Sequence, residues 1–351
     1  MHAAVGSAGG WLGQAAKRMT VWDSVFFTRV AQCGYEYEHF HAFFPLLPGL
    51  LRLAQVSVQH AVTQPEGWAE VCGLLLSNIA FVASALLFCR LSSGVLQNER
   101  LTRMATLLYI FNPASVFHSA LYTESIFGLA TFAAMHYAQR HHMLAAASLF
   151  ALSSAARSNG VLGCWFIIHP TLVGLGRCGR TARKVVRSLL CMMGYSCLIA
   201  APLIAFQYHG YTTFCGGLRG DSSLLPSWCN TRLPYLYGYI QANYWGVGFF
   251  RYYQLKQLPN FFLAAPVLFL PKSGYLADDV AVYVYHWALM SAVVIFLMHI
   301  QVATRFLSCC PPLFWYAAHL YSIQGGQWIW AFWLSYVALG AVLFPNFYPW
   351  T

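Results

Sequence analysis

Val71-Cys72-Gly73-Leu74-Leu75-Leu76-Ser77-Asn78-Ile79-Ala80-Phe81-Val82-Ala83-Ser84-Ala85-Leu86-Leu87-Phe88-Cys89-Arg90 decides the class of this chain. Nineteen residues pass without a charge before Arg90 closes the run. A helix needs about 20 mostly apolar residues to cross a bilayer, and this stretch supplies them. Similar runs recur at roughly 104–120, 124–139, 143–157, 159–175, 188–208, 260–271 (a short one), 280–300, 306–322 and 328–344. The hydropathy pattern therefore predicts an all-α polytopic membrane protein with eight to ten transmembrane helices. Whole-chain composition agrees. Hydrophobic residues make up 59% and charged residues only 9%, against about 25% charged in a soluble domain.

The basic residues set an orientation. Arg177, Arg180, Arg183, Lys184 and Arg187 crowd one short loop, and Arg90, Arg100 and Arg103 another. By the positive-inside rule both face the cytoplasm, and five spans between 71 and 175 put them on the same side. Segments 20–70 and 209–258 then fall on the luminal face of one membrane domain spanning 1–351. The net charge of +10 reads as topology plus contact with anionic membrane lipid. Nucleic acid is not an expected partner, because the basic residues are divided among loops with no binding module around them.

Segment 20–70 mixes aromatics, acids and histidines with Pro45 and Pro48, the pattern of short amphipathic helices at an interface. Three of the ten acidic residues of the chain, Asp23, Glu36 and Glu38, lie in it between positions 23 and 38. Segment 209–258 is dense in Tyr and Trp, which suits either the interfacial belt or stacking on sugar rings. Cys215 and Cys229 both lie there. They can pair in an oxidising lumen, although no spacing signature selects them. The other cysteines form no metal pattern.

A charged side chain near bilayer depth is costly and commonly functional. Each candidate also has a plainer reading. Asp23, between Trp22 and Ser24, is an N-cap candidate for the helix carrying Val25 to Val30. Glu36-Tyr37-Glu38 is a weak metal-pair pattern or a solvated loop. His39 and His41 are structural as readily as catalytic. Thr123-Glu124 can be a cap with an acidic first turn. Arg157 and Arg305 interrupt apolar runs at the luminal edge, and each can pair with Asp23 or Glu124 or serve a phosphate.

Several ordered blocks resemble one family. They are Trp22-Asp23-Ser24, Gly34-Tyr35-Glu36-Tyr37-Glu38-His39, Ala42-Phe43-Phe44-Pro45, Asn112-Pro113-Ala114-Ser115-Val116-Phe117 and Tyr122-Thr123-Glu124-Ser125. Arg157-Ser158-Asn159-Gly160, Gln241-Ala242-Asn243-Tyr244-Trp245-Gly246-Val247-Gly248, Pro259-Asn260-Phe261, Thr304-Arg305-Phe306-Leu307 and the closing Asn346-Phe347-Tyr348-Pro349-Trp350-Thr351 continue the series. From about residue 20 onward the chain resembles the GPI mannosyltransferase 2 family, the phosphatidylinositol-glycan class V group of GT-C-type glycosyltransferases. The resemblance implies a multi-pass protein of the endoplasmic reticulum membrane with its active site facing the lumen. It implies transfer of mannose from dolichyl-phosphate-mannose, in α1,6 linkage, to the first mannose of a glycosylphosphatidylinositol precursor. No cofactor and no metal are implied, and Asp278-Asp279 falls in an expected cytosolic loop. Members can act with an accessory membrane subunit, which no motif here identifies.

On that resemblance Asp23 is the expected catalytic base. Trp22, Glu36, Glu38, His39, Glu124, Arg157 and Arg305 are the expected substrate-binding or loop-holding residues. The alternatives are another GT-C-type enzyme using the same donor, or an inactive multi-pass scaffold or lipid transporter. Members place a transmembrane helix ahead of the Trp-Asp loop. Residues 1–18, Gly- and Ala-rich with Lys17 and Arg18, hold no apolar run of that length, and the chain departs from the family there.

Overall fold

The computed structural model describes residues 11–59, 67–176, 181–216, 225–268 and 278–348. Of the residues singled out above, Arg177, Arg180, the side chains of Asp278 and Asp279, and 349–351 lie outside them. The helices in order are α1 (Trp11–Met19), α2 (Asp23–Cys33), α3 (Leu46–Gln59), α4 (Trp68–Leu96), α5 (Glu99–Ile110), α6 (Ser115–Ser119), α7 (Glu124–Gln139) and α8 (Met143–Ala156). They continue as α9 (Trp165–Gly176), α10 (Ala182–Cys215), α11 (Leu236–Tyr244), α12 (Leu258–Leu268), α13 (Asp278–Leu297), α14 (Ala303–Phe306), α15 (Pro311–Gln324) and α16 (Gln327–Leu343). Among the described residues there is no strand, and the chain is an all-α membrane protein.

Among the described residues, four helical runs are long and apolar enough to cross a membrane: Trp68–Leu96, Ser158–Gly176, Ala182–Cys215 and Val280–Leu297. Hydrocarbon cannot hydrogen-bond a peptide group, so a spanning segment satisfies its backbone internally as helix. Within the described residues, each of the ten expected apolar stretches falls largely on helix, several of them short. The stretch 104–120 is broken between α5 and α6 at Asn112-Pro113. Proline lacks the N–H that would continue the ladder and pushes its predecessor away from helical geometry. The Asn112 side chain seals the break, donating to the Tyr109 carbonyl at 2.6 Å and accepting from the Ala114 amide at 2.7 Å. Likewise 306–322 becomes α14, a turn, and α15 opening on Pro311-Pro312, whose missing N–H groups cost nothing in a first turn. Past the apolar stretch that ends at 208, α10 continues as helix through Cys215.

Segment 20–70 folds as short helices, α2 and α3, with a 3-10 turn at Glu38–Ala42 between them. The core is built by α4, α7 and α8 packing closely through small residues, among them Ser77, Ala80, Ser84, Gly128, Ala134, Ala146 and Ala147. Such residues let helix backbones approach where lipid gives no hydrophobic drive between helices. A Cβ on Gly128 would lie 3.3 Å from both the Cys309 sulfur and the Tyr109 hydroxyl. Buried polar groups find partners inside this core: Ser84 with the Tyr109 hydroxyl (2.7 Å), Trp315 Nε1 donating to Ser92 Oγ (2.8 Å), and Trp333 Nε1 donating to the Leu108 carbonyl (3.0 Å). By contrast Leu190, Met193, Leu198 and Ile204 of α10 are exposed, as a lipid-facing helix requires.

Chain direction alternates through this bundle. The start of α7, the end of α8 and the loop carrying α14 consequently come to the same end, beneath α2.

Candidate active site

At that end lies a cavity of about 400 Å³. Its walls include Trp22, Asp23, Phe43, Thr123, Arg157, Asn159, Tyr237, Gln241, Trp245, His299, Gln301 and Arg305. Asp23 is the first residue of α2. It does not cap the helix: Trp22 holds the N-cap position and makes no side-chain cap bond. The Asp23 backbone amide instead donates to the Tyr122 hydroxyl at 3.0 Å, fixing the head of the helix. The carboxylate is free of helix duty and half-buried in the cavity wall.

Behind it sits a four-charge cluster. Glu124, the first residue of α7, is 1% exposed, and its Oε1 receives Arg157 Nη1 at 2.5 Å and Arg305 Nη2 at 2.7 Å. Arg305 Nε adds a second bond to that oxygen at 2.8 Å. Arg305 Nη2 also reaches to 3.6 Å from Asp23 Oδ2. Two carboxylates thus face two guanidiniums, and the formal charge of the cluster is zero. Arg305 is further held over the Phe117 ring, 4.1 Å from its centroid, and near Tyr122 at 5.1 Å. Arg157 donates to Thr123 Oγ1 at 3.3 Å. A guanidinium carries five N–H donors, so Glu124 and Thr123 leave donors to spare.

Local sequence explains where Arg157 points. It ends α8 in extended conformation, with its amide bonded to the Ser153 carbonyl at 2.9 Å. The Ser158–Cys164 3-10 turn then folds back on α8 so tightly that a Cβ on Gly160 would lie 2.4 Å from the Ser153 carbonyl carbon. Only glycine fits this return, which is what the Arg157-Ser158-Asn159-Gly160 block encodes.

Burial pushes the Asp23 carboxyl above its ordinary range. Arg305 opposes this, Glu124 adds to it, and Arg157 opposes it more weakly. The part of its side chain that is open, 38%, faces the cavity, so desolvation governs although the group is not sealed from water.

The expected site residues divide into two sets. Trp22, Asp23, Arg157 and Arg305 line the cavity, with Glu124 directly behind them. Glu36, Glu38 and His39 do not line it. Glu36 pairs with Arg29 at 2.7 Å on the surface. Glu38 accepts from Trp228 Nε1 at 3.2 Å and from the Tyr244 hydroxyl at 2.7 Å, tying segment 20–70 to segment 209–258. His39 packs among Phe26, Tyr37, Phe40 and Tyr244. The contacts of these three are with residues of segments 20–70 and 209–258. Glu36 and Glu38 take different partners. Cys215 and Cys229 are joined as a disulfide, with Cα atoms 5.7 Å apart.

Tyr122, Tyr237, Gln241, His299 and Gln301 carried no assigned role in the sequence. Tyr122 and Gln241 stand inside quoted blocks, which is the only signal that marks them. His299 stacks on Tyr252 at 4.7 Å. Gln301 is held by the Tyr252 hydroxyl at 3.0 Å, and Asn260 supports the same network.

The family model described as mannosyltransferase (PIG-V) matches residues 10–272 and 270–351. The chain is similar to human GPI alpha-1,6-mannosyltransferase 2, at 32% identity covering 86% of this chain and 73% of the relative. It is similar to GPI mannosyltransferase 2 of Yarrowia lipolytica at 32% identity (95% and 87%) and of Drosophila melanogaster at 28% (97% and 90%). No solved structure matches the chain. Helical membrane architecture and these relatives together define a membrane-embedded glycosyltransferase. The chain belongs to the PIG-V mannosyltransferase family.

Proposed function

We propose that this protein transfers a mannosyl group from dolichyl-phosphate-mannose to the 6-hydroxyl of the first mannose of a glycosylphosphatidylinositol precursor, on the luminal face of the endoplasmic reticulum membrane. The names of the relatives support the α1,6 linkage and the glycolipid acceptor. The Cys215–Cys229 disulfide supports placement of this end in an oxidising lumen.

The observation that carries the chemistry is a half-buried carboxylate 3.6 Å from a guanidinium, in one cavity at the end of an apolar bundle. The donor sugar is β-linked and the product α-linked, so one inverting displacement suffices. The acceptor oxygen attacks C1 as the C1–O bond to phosphate breaks. The acceptor proton passes to Asp23, in the role of the base in an inverting glycosidase. Dolichyl phosphate leaves as an anion and needs no general acid. The spare donors of Arg305 and Arg157 meet its developing charge. Glu124 fixes both guanidiniums so that they need not reorganise during the reaction. Trp245, Tyr237 and His299 supply aromatic faces for sugar, and Gln241 and Gln301 supply amides for its hydroxyls.

The test is Asp23→Asn in membranes supplied with mono-mannosyl precursor and labelled donor, the product linkage being read directly. Loss of transfer with normal membrane insertion is expected. Transfer at the wild-type rate would remove Asp23 as base, and absence of transfer by the wild-type chain would favour a scaffold or transporter.

A further inference from the structure

Trp22 occupies a backbone conformation that its side chain does not favour. Its φ is 56° and ψ is −128°, within a turn closed by the Ser24 amide donating to the Val21 carbonyl at 3.2 Å. That is the second position of a type II′ turn, where glycine is the usual occupant. A tryptophan persists there only when its surroundings over-determine it, and such strain gathers at functional sites.

The surroundings come from the far end of the chain. Trp22 Nε1 donates to the Phe344 carbonyl at 3.0 Å, across 322 residues of sequence. Its ring meets Phe347 at 5.7 Å between centroids. The Phe344 side chain is buried against Phe117 (5.3 Å) and Tyr122 (5.6 Å). Those are the same two rings that hold the Arg305 guanidinium, and the Tyr122 hydroxyl accepts from the Asp23 amide. The turn at Phe344–Phe347 therefore touches Trp22 on one side of Asp23 and the support of Arg305 on the other.

We infer that the Phe344–Phe347 turn is a positioning clamp, acting through Trp22 to set the Asp23 carboxylate at its distance from Arg305. This rests on Asp23 being the base. Phe344 and Phe347 themselves are positioning residues, because the clamp reaches the reaction only through Trp22, Asp23 and Tyr122. Releasing the clamp lengthens the Asp23–Arg305 approach and changes the balance of charge that the carboxyl feels. The groups that face it are Arg305 from α14, Glu124 from α7, Arg157 from the end of α8, and the Tyr122 hydroxyl.

The experiment uses the full chain in membranes and compares Phe347→Ala, Trp22→Phe, Trp22→Gly and Asp23→Asn. Phe347 is 61% exposed, so its truncation leaves the core intact. Trp22→Phe keeps a ring and loses the N–H donor, and Trp22→Gly relieves the turn while removing the link. All three are expected to insert normally and to lower kcat by about 10- to 100-fold, the scale of a small misplacement of a catalytic group. Donor KM should stay within about twofold. The acid limb of the kcat/KM profile should move upward, as expected when the carboxyl loses some of the influence of Arg305. Wild-type kcat in Phe347→Ala and Trp22→Gly, with Asp23→Asn inactive, would overturn the clamp and leave the base standing. A fall in kcat with the acid limb unmoved would also overturn it, since a merely structural contact predicts that. Full activity in Asp23→Asn would take down both readings.

Discussion

Glu124→Gln tests the cluster behind the cavity. In the native protein one buried oxygen, Glu124 Oε1, receives Arg157 at 2.5 Å and Arg305 at 2.7 Å. Glutamine keeps the volume and one acceptor but removes the charge. Two guanidiniums, each with 18% of its side chain exposed, then face only Asp23 at 3.6 Å from one of them. Removing one partner of a buried pair costs about 3–5 kcal/mol, mostly because the charge left behind is unpaired. A penalty of that size is about a 10²- to 5 × 10³-fold change in the folding equilibrium constant. The assay is a double-mutant cycle: thermal unfolding of detergent-solubilised wild type, Glu124→Gln, Arg157→Gln and the double variant. Residues sharing one network couple by about 0.5–3 kcal/mol, so the double variant should be less destabilised than the sum of the singles. Transfer activity should fall in all three, because Arg305 and Arg157 lose the anchor that aims them. Additive losses within about 0.5 kcal/mol, or wild-type midpoint and activity in Glu124→Gln, would refute Glu124 as the keystone.

The Asp23 carboxyl is raised above the ordinary carboxylate range by burial, so activity should rise with pH through that raised value as the base ionises. The linkage sign runs the other way for stability. Between the ordinary and raised values the native state binds the extra proton, so this group destabilises the fold as pH climbs through the window. Asp23→Asn should abolish that component, read as the wild-type-minus-variant difference in thermal midpoint against pH; an identical dependence in the two proteins would contradict it. Gly160→Ala puts a methyl 2.4 Å from backbone of α8 and should cost about 1–3 kcal/mol as overpacking. It should also lower transfer by displacing Arg157, and unchanged activity with an unchanged midpoint would refute that account of the turn.

The membrane class, the run of helices and the short helices of 20–70 were legible from residue pattern. The reason is that burial in lipid imposes a long apolar run on the sequence itself. Breaks were half legible. Asn112-Pro113 and Pro311-Pro312 stand in plain view, yet hydropathy averages across them, so two expected spans proved interrupted. The length of α10 was not legible from hydropathy, because its last turns, Tyr208 to Cys215, are aromatic and polar rather than apolar and still helical.

For the site, sequence alone marked Asp23, Glu124, Arg157 and Arg305 as charges in costly places. It left open whether Asp23 was a cap and whether the arginines served carboxylate or phosphate. Tertiary structure decided the cap and showed which carboxylates the arginines meet. Asp23 makes no cap bond, and Glu124 gathers both arginines, one of them from 181 residues away. It also separated Glu36, Glu38 and His39 from the cavity, although they stand close to Asp23 in sequence, because α2 carries them to its other end. Trp22 was conspicuous as a residue but silent about its partner, since a hydrogen bond spanning 322 positions leaves no local pattern. Hydrophobic periodicity is written into each segment by the solvent around it. A constellation of charges is written only by the way segments pack, and that is where this protein keeps its chemistry.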